Sequence, residues 1–184
     1  MPVRQLMLTQ IKCDVETDED GNDSPYVMVF MGLRSSTPGV AASGKLFRVR
    51  DPDWDNAFHN NHTVNTRQIV DEAEAGGKFV FVTLIEEDWD PDLASGGWLQ
   101  ALILSQWLVY GGAGWANLTS SQLRDVMRPK IADLMKGAVG NDEYIQTRSF
   151  VVPTVTTETA LAPLSFSGDG GSYKLTFTVR IKGG

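Results

Sequence analysis

Short runs of β-branched and aromatic residues dominate both ends of the chain. They predict strands over residues 6–13, 26–31, 46–49, 78–85, 145–152 and 172–181. The run 78–85 is the clearest of these. Clusters of turn-forming residues separate the runs, as is typical of antiparallel strands joined by loops.

The middle of the chain has a different pattern. Residues 98–110 are apolar nearly all round and predict a buried helix, because this stretch falls short of the ~20 residues that span a bilayer. Residues 66–75 predict a further short helix before Gly76 and Gly77.

A second helix in the middle region carries clear end signals. Thr119 and Gln122 form a capping-box pair at its start, and Gly137 stands where a helix ends. Pro129 predicts a kink. The apolar positions that repeat with helical spacing are Leu123, Val126, Met127, Leu134 and Met135.

These elements predict a mainly β fold, namely one antiparallel β-sandwich with a helical insertion at residues 98–136. The length of 184 residues suits a single domain over 1–184, and 42% hydrophobic residues suffice for a buried core. No internal repeat or long polar linker divides the chain.

Charge and cysteine content narrow the classes of function. Lys and Arg number 16 against 23 Asp and Glu, so the net charge of −7 argues against nucleic acid as a partner. Cys13, His59 and His62 are too few ligands for a Cys/His zinc site, and one cysteine excludes an internal disulfide. The chain starts without a secretory signal, which predicts a cytoplasmic location by default; signal-independent export and a mature extracellular form stay open.

Acidic residues recur in three segments, each next to a predicted strand. Calcium takes ~6 to 8 oxygen ligands, so carboxylates that converge from several loops would form a calcium site. The alternative is a set of solvated acidic loops. The candidate ligands are Asp18, Asp20, Asp23, Asp51, Asp53, Asp55, Glu87, Asp88, Asp90 and Asp92.

Three motifs occur in the order of a known family. Residues 21–29 read GNDSPYVMV, residues 51–58 read DPDWDNAF, and the strand 79–85 leads into an Asp-Trp-Asp at 88–90. Over residues 5–92 the chain resembles the C-two domain, the calcium- and phospholipid-binding β-sandwich of protein kinase C and synaptotagmin. The resemblance implies a C-two-like sandwich that binds calcium.

The resemblance also assigns particular acids to calcium loops. It implies that Asp23 and an earlier acid such as Asp18 belong to the first loop, and that Asp88 and Asp90 belong to the third. The family's aspartate before proline is replaced here by Ser24, with the acid one position earlier.

Aromatic residues among the acids suggest a partner surface. Trp54, Phe58 and Trp89 are expected either to contact an anionic lipid surface or a protein partner, or to cap the core from the strand ends. No G-x-S-x-G motif is present, and the Gly39–Lys45 stretch lacks the Ser or Thr of a phosphate loop, so we expect no catalysis. The alternative function is a self-assembling filament or coat protein with calcium at its interfaces, using the apolar 98–118 segment.

Overall fold

A computed structural model describes residues 2–17, 25–34, 42–49, 58–72, 74–86, 118–138 and 143–183. Within these residues the chain forms strands and one long helix. The elements are β1 (Val3–Val15), β2 (Pro25–Arg34), β3 (Ala42–Val49), β4 (Thr63–Asp71), β5 (Phe79–Glu86), α1 (Ser120–Ala138), β6 (Glu143–Val151), β7 (Thr159–Ala160), β8 (Leu164–Gly168) and β9 (Gly171–Lys182).

The strands form two antiparallel sheets. The first sheet has the order β4-β1-β9-β7, and β8 pairs with β9 beside β7. The second sheet has the order β3-β2-β5-β6. The predicted mainly β, antiparallel architecture is therefore confirmed, and the two sheets are consistent with a β-sandwich.

Alternate side chains of both sheets fill one shared core. This alternation follows from the two-residue period of a strand, which sends every second side chain to the same face. The first sheet contributes Tyr173, Leu175, Phe177 and Val179 from β9, and the second contributes Val80, Val82 and Leu84 from β5.

The second sheet is also covered on its other face. All eight residues of β5 are buried, and its odd-numbered apolar residues Phe79, Phe81 and Ile85 pack under α1. The helix covers them with one stripe of side chains, Leu123, Met127, Ile131 and Met135. The predicted second helix is confirmed, but Val126 is 44% exposed and does not belong to this stripe.

The start of α1 is fixed by the predicted capping box. The Gln122 N–H donates to Thr119 Oγ1 at 3.2 Å, and the Thr119 N–H donates to Gln122 Oε1 at 2.8 Å. The helix continues through Pro129 and Gly137 to Ala138, so the end predicted at Gly137 is wrong by about one residue. Residues 98–117, which include the first predicted helix, lie outside the described residues.

The short helix predicted over residues 66–75 is wrong, because most of this segment belongs to β4. Gln68 pairs with Leu8 and Ile69 with Met7, so β1 satisfies the backbone groups that a helix would have bonded internally. Val70 then enters the shared core. Tertiary pairing outweighs the helix-forming composition of this segment.

The region predicted as a loop between the last two long strands contains the extra strands β7 and β8. Asp169 and Gly170 join β8 to β9 in a two-residue turn, with φ angles of 50° and 76°. Positive φ at both positions is typical of the type I′ hairpin turn, in which Asp-Gly is favoured.

Gly32 provides a test of packing beneath α1. It pairs with Phe79 across β2 and β5, and a methyl group at Gly32 would overlap the Phe79 ring. We expect Gly32→Ala to lower the free energy of unfolding by about 1–3 kcal/mol in denaturant titrations, because this layer must shift. Gly137→Ala is the control: it meets no atom within 4 Å and should stabilise the protein by about 0.4–1 kcal/mol. Equal effects of the two substitutions would contradict this account.

Arg4 joins three chain segments at the end of the sandwich where β1 begins. Its guanidinium contacts Glu74 Oε2 at 3.2 Å and donates from Nε to the Val155 carbonyl at 2.8 Å. Its backbone carbonyl accepts from the Ala75 N–H at 2.7 Å. The turn after β4 and the segment after β6, which both cross between the sheets, are thereby tied to β1.

Burial of the Glu74 carboxyl opposes its ionisation and would raise its pKa. Hydrogen bonds from the Gly76 and Arg4 N–H groups, together with the positive charge of Arg4, outweigh the effect of burial, so the pKa of this carboxyl is lowered. A carboxyl whose pKa is lower in the folded state stabilises the fold at pH values above its unfolded-state pKa. This stabilisation is lost as pH falls through the folded-state pKa. We expect Glu74→Gln to cost about 0.5–1 kcal/mol at pH 7, since the side chain is 46% exposed, and progressively less as pH falls through the lowered pKa of the carboxyl. Thermal melts at pH 7 and through the acidic range test this; a cost independent of pH would contradict it.

Candidate functional site

Each of the three acidic segments is connected to a strand of the second sheet. The strand ends that border these segments lie at one end of that sheet. β2 begins at Pro25, which pairs with Glu86 at the end of β5. Val49, at the end of β3, pairs with Val27 close to the same edge. We call this the acidic end, because the chain between β1 and β2, after β3 and after β5 carries the candidate ligands.

The first sheet contributes strand ends to the acidic end as well. Val15, at the end of β1, pairs with Ser172 at the start of β9. The turn before β9 is held against the second sheet, since the Ser167 N–H donates to Gln146 Oε1 at 3.1 Å. A side chain at Gly168 would overlap the Ile145 carbonyl, so glycine permits this close approach between β8 and β6.

The candidate ligands themselves lie outside the described residues, as do two of the aromatic residues. These are Asp18, Asp20, Asp23, Asp51, Asp53, Asp55, Glu87, Asp88, Asp90, Asp92, Trp54 and Trp89. What is established is the position of the strand residues that flank them.

Phe58 is described, and its side chain is fully buried in the shared core. Phe58 was expected either to contact a partner or to cap the core, and its burial supports the second expectation.

The segment after Phe58 is fastened to the end of β1. Asn60 accepts from the Glu16 N–H at 3.0 Å and donates to Glu16 Oε1 at 2.9 Å. The rings of His59 and His62 stack with centroids 4.5 Å apart. Among the described residues, no three His, Cys, Asp or Glu side chains form a group that would hold a metal ion, so these histidines lack a third ligand there.

Two glutamates face each other across the second sheet at the acidic end. Glu86 ends β5 and pairs directly with Glu143, the first residue of β6. Glu86 is 3% exposed, and the buried Oε2 of Glu143 has no hydrogen-bond partner within the described part of the chain. Directly opposed like charges destabilise a sheet unless a proton or a cation lies between them.

Sequence reasoning missed this pair. Glu86 is not among the candidate ligands, although it directly precedes Glu87, and Glu143 carries no signal of its own. The two residues are 57 positions apart (143 − 86 = 57), and only the pairing of β5 with β6 brings them together.

Tyr173 places a polar atom inside the sandwich near the acidic end. The residue is 1% exposed and pairs with Cys13, close to where β1 ends. Its hydroxyl has no hydrogen-bond partner among the described residues, and a buried polar group in this state costs about 1–3 kcal/mol.

Asp14 differs from the other acids of the first segment. It lies in β1, and hydrogen bonds from Lys12 and then from Lys174 outweigh burial to hold the pKa of its carboxyl below the ordinary value. Because both lysines already neutralise it, Asp14 is a poor candidate for a cation ligand.

No protein-family model matches this sequence, and no similar sequence is found among curated proteins. The likeness to the C-two domain therefore stays a prediction from the three motifs. Among the described residues no helix has the length and apolar character needed to cross a membrane.

Two tyrosines form a matched test of the polar groups near this end. We expect Tyr173→Phe to leave stability unchanged or raise it by about 1 kcal/mol, because it removes a buried hydroxyl without a partner. Tyr144→Phe should cost about 0.5–1.5 kcal/mol, since the Tyr144 hydroxyl donates to Thr147 Oγ1 at 3.0 Å. Denaturant titrations of both variants measure these changes in the free energy of unfolding. A larger loss of stability for Tyr173→Phe than for Tyr144→Phe would show that the Tyr173 hydroxyl does have a hydrogen-bond partner.

Proposed function

We propose that the protein is a non-catalytic, C-two-like calcium-binding module whose acidic end joins a membrane surface or a protein partner when calcium is bound. One observation carries the proposal: the strand ends that border the three acidic segments lie together, at Val15, Pro25, Val49 and Glu86. Carboxylates anchored at one end of a rigid sandwich repel one another, and a shared cation relieves that repulsion.

The Glu86–Glu143 pair supports the same proposal. Both carboxylates belong to paired strands, which fix their relative positions at the acidic end. A hard cation with several oxygen ligands is the chemistry that matches clustered carboxylates, and calcium accepts irregular ligand arrangements that magnesium does not.

The charge balance suggests what calcium would change. The chain carries a net charge of −7, so without cations its acidic end repels anionic lipid and acidic proteins. Bound calcium would cancel part of this charge and convert the acidic end into a surface that meets an anionic partner.

The direct test is a thermal melt with excess EDTA, with millimolar magnesium and with millimolar calcium at neutral pH. At free calcium a hundredfold above Kd, binding to the folded state adds about 2.7 kcal/mol, or roughly 5–10 °C in Tm. Magnesium should give a smaller shift. The gain should shrink toward pH ~4, where protonated carboxylates no longer bind the ion. A Tm that is the same in calcium and EDTA would leave only solvated acidic loops.

Paired variants test which acids bind the ion. Asp88→Asn with Asp90→Asn should abolish the calcium shift without changing the melt in EDTA, because these residues directly follow the buried strand β5. Asp51→Asn with Asp53→Asn removes the same charge and should reduce the calcium shift in Tm by a smaller amount. If this second pair proves equally or more costly, the assignment drawn from the C-two likeness is wrong.

Light scattering separates the proposal from calcium-linked self-assembly. A membrane-binding module stays monomeric in calcium until liposomes with anionic lipid are added. A filament or coat protein instead forms larger particles with calcium alone. That result would favour self-assembly as the function over a membrane-binding or partner-binding module.

A further inference from the structure

The outer face of the first sheet differs in charge from the rest of this acidic protein. Along β9 the exposed residues that alternate with the core are Lys174, which pairs with Asp14, and Arg180 and Lys182. Arg67 on β4 is exposed on the same side. A surplus of positive charge on this face of a chain with a net charge of −7 calls for an anionic ligand.

Two of these residues line one groove. Arg67 and Arg180 border a cavity of about 360 Å³ together with Thr9, Thr178, Asn65 and Glu158. This volume lies within the range of small-molecule sites. The groove runs across β4, β1 and β9, whose backbones are hydrogen-bonded to one another, so its walls stand on a rigid base.

The floor of the groove is locked by its own hydrogen bonds. Both neighbours of β1 shift register between Leu8 and Gln10, which leaves Thr9 at a bulge. Thr9 Oγ1 donates to the Thr176 carbonyl at 3.1 Å and lies 3.0 Å from Thr178 Oγ1. These hydroxyls bond each other, so the side chains above them supply the groups that would meet a ligand.

Those side chains are mainly donors. Within the described part of the chain, neither the Arg67 nor the Arg180 guanidinium has a hydrogen bond or an ion pair. Asn65 Oδ1 accepts from Gln10 Nε2 at 3.0 Å, which leaves the Asn65 amide N–H₂ to donate. Two guanidinium groups with an amide match the several oxygens of a phosphate better than the two oxygens of a carboxylate.

We propose that the groove between Arg67 and Arg180 binds the phosphate group of a small hydroxylated phosphate ester. Glu158 is the carboxylate of the groove, and it suits a ligand hydroxyl, which would donate to it. The site lies on strands away from the acidic segments, so binding needs no calcium and stands or falls separately from the calcium proposal.

The test is calorimetric titration of the full chain in EDTA with glycerol 3-phosphate and with inorganic phosphate. We expect saturable heat, with glycerol 3-phosphate the tighter ligand. Arg67→Gln and Arg180→Gln should each weaken binding at least about tenfold, as expected for the loss of a charge-assisted hydrogen bond. Unchanged thermal melts would confirm that these exposed substitutions leave the fold intact.

A matched control removes the same charge elsewhere. Arg128 is exposed on α1, which covers the other sheet, so Arg128→Gln should leave the affinity within about twofold. Glu158→Gln should tighten the binding of inorganic phosphate, because it removes a nearby negative charge. An equal loss in the control would overturn the proposal.

A second arm identifies the source of the phosphate. Flotation in EDTA with phosphatidylcholine vesicles, with and without a phosphatidylinositol phosphate, tests a lipid headgroup. Vesicle binding that requires both arginines assigns the phosphate to a headgroup, whereas binding of glycerol 3-phosphate alone assigns it to a soluble ester. Failure of both arms overturns the site.

Discussion

Burial of the second sheet on both faces is the constraint on which the rest of the structure depends. β5 has no exposed residue: Val80 and Val82 face the first sheet, while Phe79 and Phe81 face the helix. A sheet of this kind is unstable in water unless each face is covered by apolar surface. The chain therefore needs both the first sheet and α1, and the fold has three layers.

This layering decides where polar chemistry can occur. Neither face of β5 carries charge along its length, and its one charged residue, Glu86, lies at the end of the strand. The first sheet keeps one face in water, and that face carries the groove of Arg67 and Arg180. The acidic end and the groove of Arg67 and Arg180 are thus separate surfaces, so the two proposed ligands would not compete for one site.

The sequence predicts what depends on local pattern. Strands with continuous apolar runs, such as 78–85, and the capped helix after Thr119 are found close to where the pattern places them. The helix prediction for residues 66–75 is wrong because β4 is an edge strand whose conformation is set by its pairing with β1 rather than by its own composition. The two-residue strand β7 is too short to leave a pattern. At the candidate site, the acids are visible in the sequence, but their flanking strand ends meet only through long-range pairing.

Under the proposed calcium function, the pairing of Glu86 with Glu143 would link stability to ligand binding at the acidic end. Folding brings these carboxylates together at a cost, because burial weakens the screening that water provides in the unfolded chain. Apolar packing in β5 and β6 fixes the register, so the strands cannot slide apart to separate the charges. Under the proposed calcium function, the same packing that buries the second sheet would hold this end ready for the cation, whichever acids complete the site.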